Sequence, residues 1–234
     1  MLKDIKLGLV VATKREFETV FVGFNESEYQ IVENKPFTVI KLTIKNKDLY
    51  VIEAGCGEIL AGAATQHLVD KYDVNCVLNY GVVGSLVDNI GLKSTCVISS
   101  IIDYEFDTTL IDKMPIGYHE GLTDNKGLLY PTRELIDFAK SINENLIEVR
   151  CASGNKFVGI ESEKNKLHEE FNASICEMEA SAIQLVATKN NVKTLFIKGI
   201  SDSKTGGAEE FDKMIIESSK TAFEVIKSIV EHYN

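Results

Sequence analysis

Two acids flank a methionine in Ile175-Cys176-Glu177-Met178-Glu179-Ala180-Ser181-Ala182, at a predicted junction between a strand and a helix. Burying two like charges is costly, and each raises the other's proton affinity unless a ligand or donor satisfies it. That pattern suits a binding site. The plainer alternative is a pair of acids in a first helical turn, where the helix dipole favours them. A second polar pair, Ser201-Asp202, closes the apolar segment that contains Lys198-Gly199-Ile200. Carboxyl ends of strands are where open α/β sheets bind ligands, although a helix cap would also account for the pair. A third acid, Glu16, follows the first apolar segment in Ala12-Thr13-Lys14-Arg15-Glu16. Alone, it reads as an exposed acid at a helix start.

The elements that must position these acids alternate. Lys6 to Ala12 is an apolar, β-rich run ending at Thr13, a candidate cap for a helix beginning near Lys14. Tyr29 to Val32, Phe37 to Ile44 and Leu49 to Ala54 read as a meander of short strands. After Gly55-Cys56-Gly57, Ile59 to Lys71 carries apolar residues at helical spacing, and Cys76 to Tyr80 reads as a buried strand ending in a glycine turn. Strand, crossover helix and strand imply parallel pairing. Further strands are expected at Thr95 to Ile102, Ile147 to Ala152 and Thr194 to Ile200. Helices are expected near Arg133 to Asn143, Glu161 to Phe171, Met178 to Asn190 and Glu209 to Tyr233. Pro115 to Pro131 reads as a long loop. The pattern specifies one α/β domain over residues 1–234, a three-layer sandwich with a central mixed β-sheet flanked by helices.

Composition excludes several classes. The formal net charge of -10 gives no reason to expect nucleic acid as a partner. The longest apolar runs fall well short of the roughly 20 residues that cross a bilayer. The amino terminus, Met1 to Lys6, has no long apolar leader, which points to the cytoplasm. Cys56, Cys76, Cys96, Cys151 and Cys176 are widely spaced and suit small buried thiols rather than a disulfide framework. His67, His119, His168 and His232 are isolated from one another, so no metal or cofactor is implied.

Taken in order, the helix bearing Glu16, Ala54-Gly55-Cys56-Gly57, Asn79-Tyr80-Gly81-Val82-Val83-Gly84, Ser153-Gly154-Asn155-Lys156-Phe157, Glu177-Met178-Glu179 and Ser201-Asp202 resemble the nucleosidase branch of the nucleoside phosphorylase superfamily. The resemblance covers nearly the whole chain and is strongest to the methylthioadenosine/adenosylhomocysteine nucleosidases. It implies that Glu179 accepts hydrogen bonds from ribose hydroxyls, with Glu177 beside it and Met178 against the sugar. It further implies that Glu16 orients and deprotonates water, and that Asp202, with Ser201 beside it, protonates the purine N7. Phe157 would stack on the base and the backbone of Val158 would read its edge. Such chemistry needs these parts. The sugar becomes oxocarbenium-like as the bond breaks, so carboxylates stabilise the developing charge. A departing purine anion leaves poorly unless an acid protonates it.

The superfamily includes enzymes that use water and enzymes that use phosphate. Phosphate is usually gripped by guanidinium groups, and the chain has only Arg15, Arg133 and Arg150, of which Arg15 alone lies near a motif. Glu16 would repel phosphate, so hydrolysis of a purine nucleoside is expected. Two positions depart from the resembled pattern: Val82 stands where a serine is common, and Lys198 where an arginine is common. The 5' end of the nucleoside would meet Phe211 and the segment Asp103 to Thr109. In the resembled family such a wall can come from a neighbouring subunit, which implies a homodimer. The rival readings are a phosphate-dependent phosphorylase and a catalytically weak nucleoside-binding protein.

Overall fold

A computed structural model describes residues 5–233; Met1 to Asp4, part of the amino terminus discussed above, and Asn234 lie outside the described residues. The first strand, β1 (Leu7–Val11), is buried along its whole length, as an unbroken apolar run requires when both faces of a sheet are covered. Thr13 then starts the one-turn helix α1 (Lys14–Phe17) with a capping box. The Glu16 N–H donates to the Thr13 hydroxyl, while the Glu16 carboxylate accepts from the Thr13 N–H. Strands β2 (Tyr29–Glu33), β3 (Thr38–Ile44) and β4 (Lys47–Glu53) form the expected antiparallel meander. Helix α2 (Glu58–Tyr72) ends where Asp73 turns left-handed at φ 57°, and β5 (Cys76–Ser85) follows. The remainder is β6 (Thr95–Asp103), α3 (Thr109–Asp112), β7 (Leu128–Leu129), α4 (Arg133–Ile142), β8 (Ile147–Ser153), α5 (Glu161–Phe171), β9 (Ile175–Glu177), α6 (Ala180–Lys189), β10 (Lys193–Asp202) and α7 (Ala208–His232).

The period of two along each strand divides the core into two layers. Leu7, Leu9 and Val11 pack with Phe223 and Ile226 of α7 and with Leu135 and Ile136 of α4. Val10 faces the other way, toward Ala61, Ala64 and Leu68 of α2 and Ile183 of α6. The neighbouring strands divide alike: Leu78 and Ile197 go to the first layer, Val77 and Phe196 to the second. The mixed sheet is therefore clamped between two helical layers, the three-layer sandwich that the sequence predicts. The apolar stripe of α7 is core packing, and among the described residues no helix is long and apolar enough to cross a membrane.

The sheet runs β2-β3-β4-β1-β5-β9-β8-β6-β10, and β10 also pairs with β5, closing that end into a ring. Strand β5 pairs with β1 only from Cys76 to Asn79 and with β9 only at Gly84 and Ser85. Between those points it is hydrogen-bonded in register to β10 alone. The glycine turn expected after Tyr80 is absent, because pairing with β10 carries β5 straight on through Gly81. What forms instead is a split in the sheet between β1 and β9. The 115–131 segment is mostly turns, and its end contributes β7, paired with β6.

Candidate active site

The split opens into a cavity of about 300 Å³. Its wall contains Glu16, Val82, Phe157, Val158, Glu177, Met178, Glu179, Ser201, Asp202 and Phe211 together. Ten of the eleven candidate residues thus meet in one place, although they come from six separate stretches of chain. The exception is Lys198, which is 2% exposed and does not line the cavity. Its Nζ lies 3.2 Å from Glu177 Oε2, so the expected contact with substrate is replaced by a supporting contact behind the wall. A lysine suffices there, since a single carboxylate oxygen is its partner.

Glu16 reaches the split from the capping box. Its Oε2 accepts from Thr13 N–H at 2.9 Å and from the Thr13 hydroxyl at 2.7 Å, and its Oε1 accepts from Val82 N–H at 2.9 Å. The last donor is free because β5 has left β1. A backbone N–H therefore supplies a contact to Glu16, whatever the side chain of Val82. Glu16 does lie in a first helical turn, but it is 4% exposed rather than an exposed acid, because its second oxygen turns inward to β5. Tyr80, fully buried, fixes the same residue from behind by donating to the Glu16 carbonyl at 2.5 Å.

Glu177 and Glu179 divide the two readings of the acidic pair between them. Glu177 caps α6, accepting the N–H groups of Glu179 at 3.1 Å and Ala180 at 2.9 Å. Glu179 points to the cavity and takes one N–H, from Gly57 at 2.8 Å. Burial, and then the charge of Glu177, push the Glu179 carboxyl up to about 7, against the opposing pull of Lys198 and the Gly57 N–H. Burial alone would pull Lys198 down, but the carboxylates of Glu177 and Glu179 outweigh it and hold the ammonium above its ordinary range.

Asp202 ends β10. The Ser201 hydroxyl donates to its Oδ1 at 2.9 Å, and its Oδ2 is paired with Lys164 of α5, a residue that is fully buried. Burial raises the Asp202 carboxyl above the usual range even though Lys164 pulls the other way. Sequence reasoning missed Lys164. The signal was present: Lys164, Leu167 and Phe171 lie three and seven residues apart, on the inward stripe of an otherwise charged helix.

The apolar end is built by Phe157 and Phe211, whose rings meet edge to face at 5.4 Å and 71°. Thr13 lines the cavity, whereas the segment Asp103 to Thr109 does not within one copy of the chain; Thr108 instead donates to Asp112. No arginine stands on the wall. Arg15 is turned outward to Asp212 at 2.7 Å, Arg133 pairs with Asp137 and Glu148, and Arg150 donates to the Phe171 carbonyl. Among the described residues no cluster of His, Cys, Asp or Glu could hold a metal ion.

Residues 6–231 match the family model of the Phosphorylase superfamily, and the chain belongs to that superfamily. A curated relative from Shewanella loihica, a 5'-methylthioadenosine/S-adenosylhomocysteine nucleosidase, is 24% identical over 97% of this chain and all of its own length. An aminodeoxyfutalosine nucleosidase from Campylobacter jejuni is also 24% identical, over 97% of this chain and 99% of its own. Among solved structures, the 5'-methylthioadenosine/S-adenosyl homocysteine nucleosidase of Helicobacter pylori superposes with a TM-score of 0.89 at 25% identity, covering 97% of this chain and 98% of that one.

Proposed function

We propose that this chain, acting as a single domain, hydrolyses the N-glycosidic bond of a purine nucleoside, with 5'-methylthioadenosine and S-adenosylhomocysteine as the first candidates and adenine as the released base. The observation that carries this reading is the wall itself: the carboxylates of Glu16, Glu179 and Asp202 share one cavity into which no arginine reaches. Such a wall favours a cationic sugar and disfavours a phosphate nucleophile. Glu16, held on both oxygens, orients and deprotonates water. Glu179, which takes a single backbone N–H, has capacity left for ribose hydroxyls, and Met178 packs against the sugar. Asp202 delivers a proton to the purine N7; Phe157 stacks on the base and the Val158 backbone reads its edge.

The names of the relatives support hydrolysis and leave two kinds of 5' substituent in play, the thioethers and the larger group of aminodeoxyfutalosine. A homodimer acting in the cytoplasm belongs to the same proposal. Ile59, Leu110 and Ile111 are 84%, 99% and 85% exposed, which suits burial against a second copy that would close the 5' end. Chromatography of free base from methylthioadenosine, adenosylhomocysteine, aminodeoxyfutalosine, adenosine and inosine, each with and without phosphate, tests the reading. Adenine release without phosphate is expected. Strict phosphate dependence would make the chain a phosphorylase, and binding without release would leave only a nucleoside-binding role.

A further inference from the structure

We propose that Lys164 is a positioning residue for Asp202: its ammonium group, anchored on the backbone that follows β10, holds the acid in place and sets the pH range over which it can protonate a bound base. This rests on the reading of Asp202 as the general acid.

Lys164 sits on α5 with no exposed surface. Its Nζ donates to Asp202 Oδ2, to the Ser203 carbonyl at 2.6 Å and to the Gly206 carbonyl at 3.1 Å. An ammonium has three N–H donors and no acceptor, so these contacts use its whole capacity and leave nothing for a ligand. A lysine is seldom buried this deeply unless a charge or a full set of acceptors compensates it, and here both do. Lys164 therefore acts through Asp202. The two carbonyls belong to the turn between Asp202 and α7, the helix that carries Phe211, so the same contact ties the acid to the segment leading to the apolar wall. Asp202 Oδ1 keeps only the Ser201 hydroxyl and has capacity left for a base.

The other groups facing Asp202 set the sign. Glu210 of α7 accepts the Ser203 N–H at 2.7 Å and adds a negative charge that favours protonated Asp202. The Cys176 thiol of β9 approaches as a neutral group, its own proton held by burial. The cation facing Asp202 is Lys164. Removing its charge leaves burial and Glu210 opposed only by the Ser201 hydroxyl, so Asp202 keeps its proton to higher pH.

The test is kcat/KM against pH for adenine release from 5'-methylthioadenosine by the wild type and by Lys164→Gln, Lys164→Arg and Asp202→Asn. In Lys164→Gln the alkaline limb should move up by about one to three pH units, the usual effect of one opposing charge on a carboxylate, with lower turnover at the optimum. In Lys164→Arg the limb should stay, since the charge remains, while turnover falls because a planar fork cannot copy the three-way contact. An unmoved limb in a folded Lys164→Gln overturns the inference. Should Lys164→Gln fail to fold, a limb displaced in Lys164→Arg overturns it instead. Asp202→Asn turning over at the wild-type rate would sink the acid assignment itself; loss in Asp202→Asn with an unmoved Lys164→Gln limb would sink only the role of Lys164.

Discussion

Gly84 makes room for Asp202: a β-carbon on Gly84 would stand 2.8 Å from Asp202 Oδ2 and 3.2 Å from Cys176 Sγ. Gly81 does the same for Glu16, with 2.7 Å to Oε1. Both carboxylates are thus seated against bare backbone of one strand, whose own position is fixed by its long pairing with β10. Gly84→Ala should therefore displace the acid rather than the strand. We expect kcat to fall at least ~10-fold, part of the roughly 10²–10⁴ that a positioned acid contributes, and stability to fall by about 1–3 kcal/mol from overpacking. Steady-state kinetics and thermal melts check both, and unchanged kcat would show that the placement of Asp202 does not matter.

Glu16→Gln separates water activation from binding. The amide retains the size of the side chain and an acceptor for Val82 N–H, but it cannot take a proton. Turnover should drop by about 10²–10⁴-fold with KM nearly unchanged, because the lost interaction matters in the transition state. A large rise in KM with kcat preserved would assign Glu16 to substrate binding instead.

The fold was legible to the extent that burial follows periodicity. β1, α2 and α5 stand within a residue or two of where the sequence put them, although α2 buries Ala61, Ala64, Thr65 and Leu68 and leaves Ile59 exposed. The ring closure was not legible. It depends on β5 exchanging β1 for β9 partway along, and no local pattern in Asn79-Tyr80-Gly81-Val82 distinguishes a turn from a strand changing partners. In the candidate site, the acids that the resemblance picked out line one cavity, and they end strands or start helices, positions where a polar residue has a local reason to stand as well. Lys164 and Lys198 were respectively missed and misplaced, because a buried lysine looks like a surface lysine until its acid partner, distant in sequence, is known.

Arg15 decides between water and phosphate in another way. It is the arginine nearest a motif, yet its guanidinium is spent on Asp212 at the surface. Arg15→Ala should change kcat/KM less than about threefold and stability by no more than about 1 kcal/mol, the range of exposed ion pairs. Base release measured across a phosphate titration should be flat in both proteins. A phosphate-dependent rate that collapses in Arg15→Ala would mean that the side chain swings inward to grip an anion, and the hydrolytic reading would fail.

Glu179 makes stability depend on pH. Burial first and Glu177 next push its carboxyl up to about 7 in the folded chain, from an ordinary value of 4.5. Between those two values the folded state holds a proton that the unfolded state has released. The stability this contributes is complete below about pH 4.5 and is lost as pH rises through 7. With one unit equivalent to 1.36 kcal/mol, the loss is on the order of 3 kcal/mol. The buried carboxyl of Asp202 and the half-buried one of Glu58 are also raised and act in the same direction. Denaturant melts from pH 4.5 to 8 should show stability declining in the wild type, with a shallower decline in Glu179→Gln. Ribose hydroxyls donating to the ionised carboxylate would reverse the shift. Binding of a nucleoside near pH 6 should then release a proton, seen by calorimetry in buffers of different ionisation enthalpy; proton uptake or no exchange would mean that Glu179 does not meet the sugar.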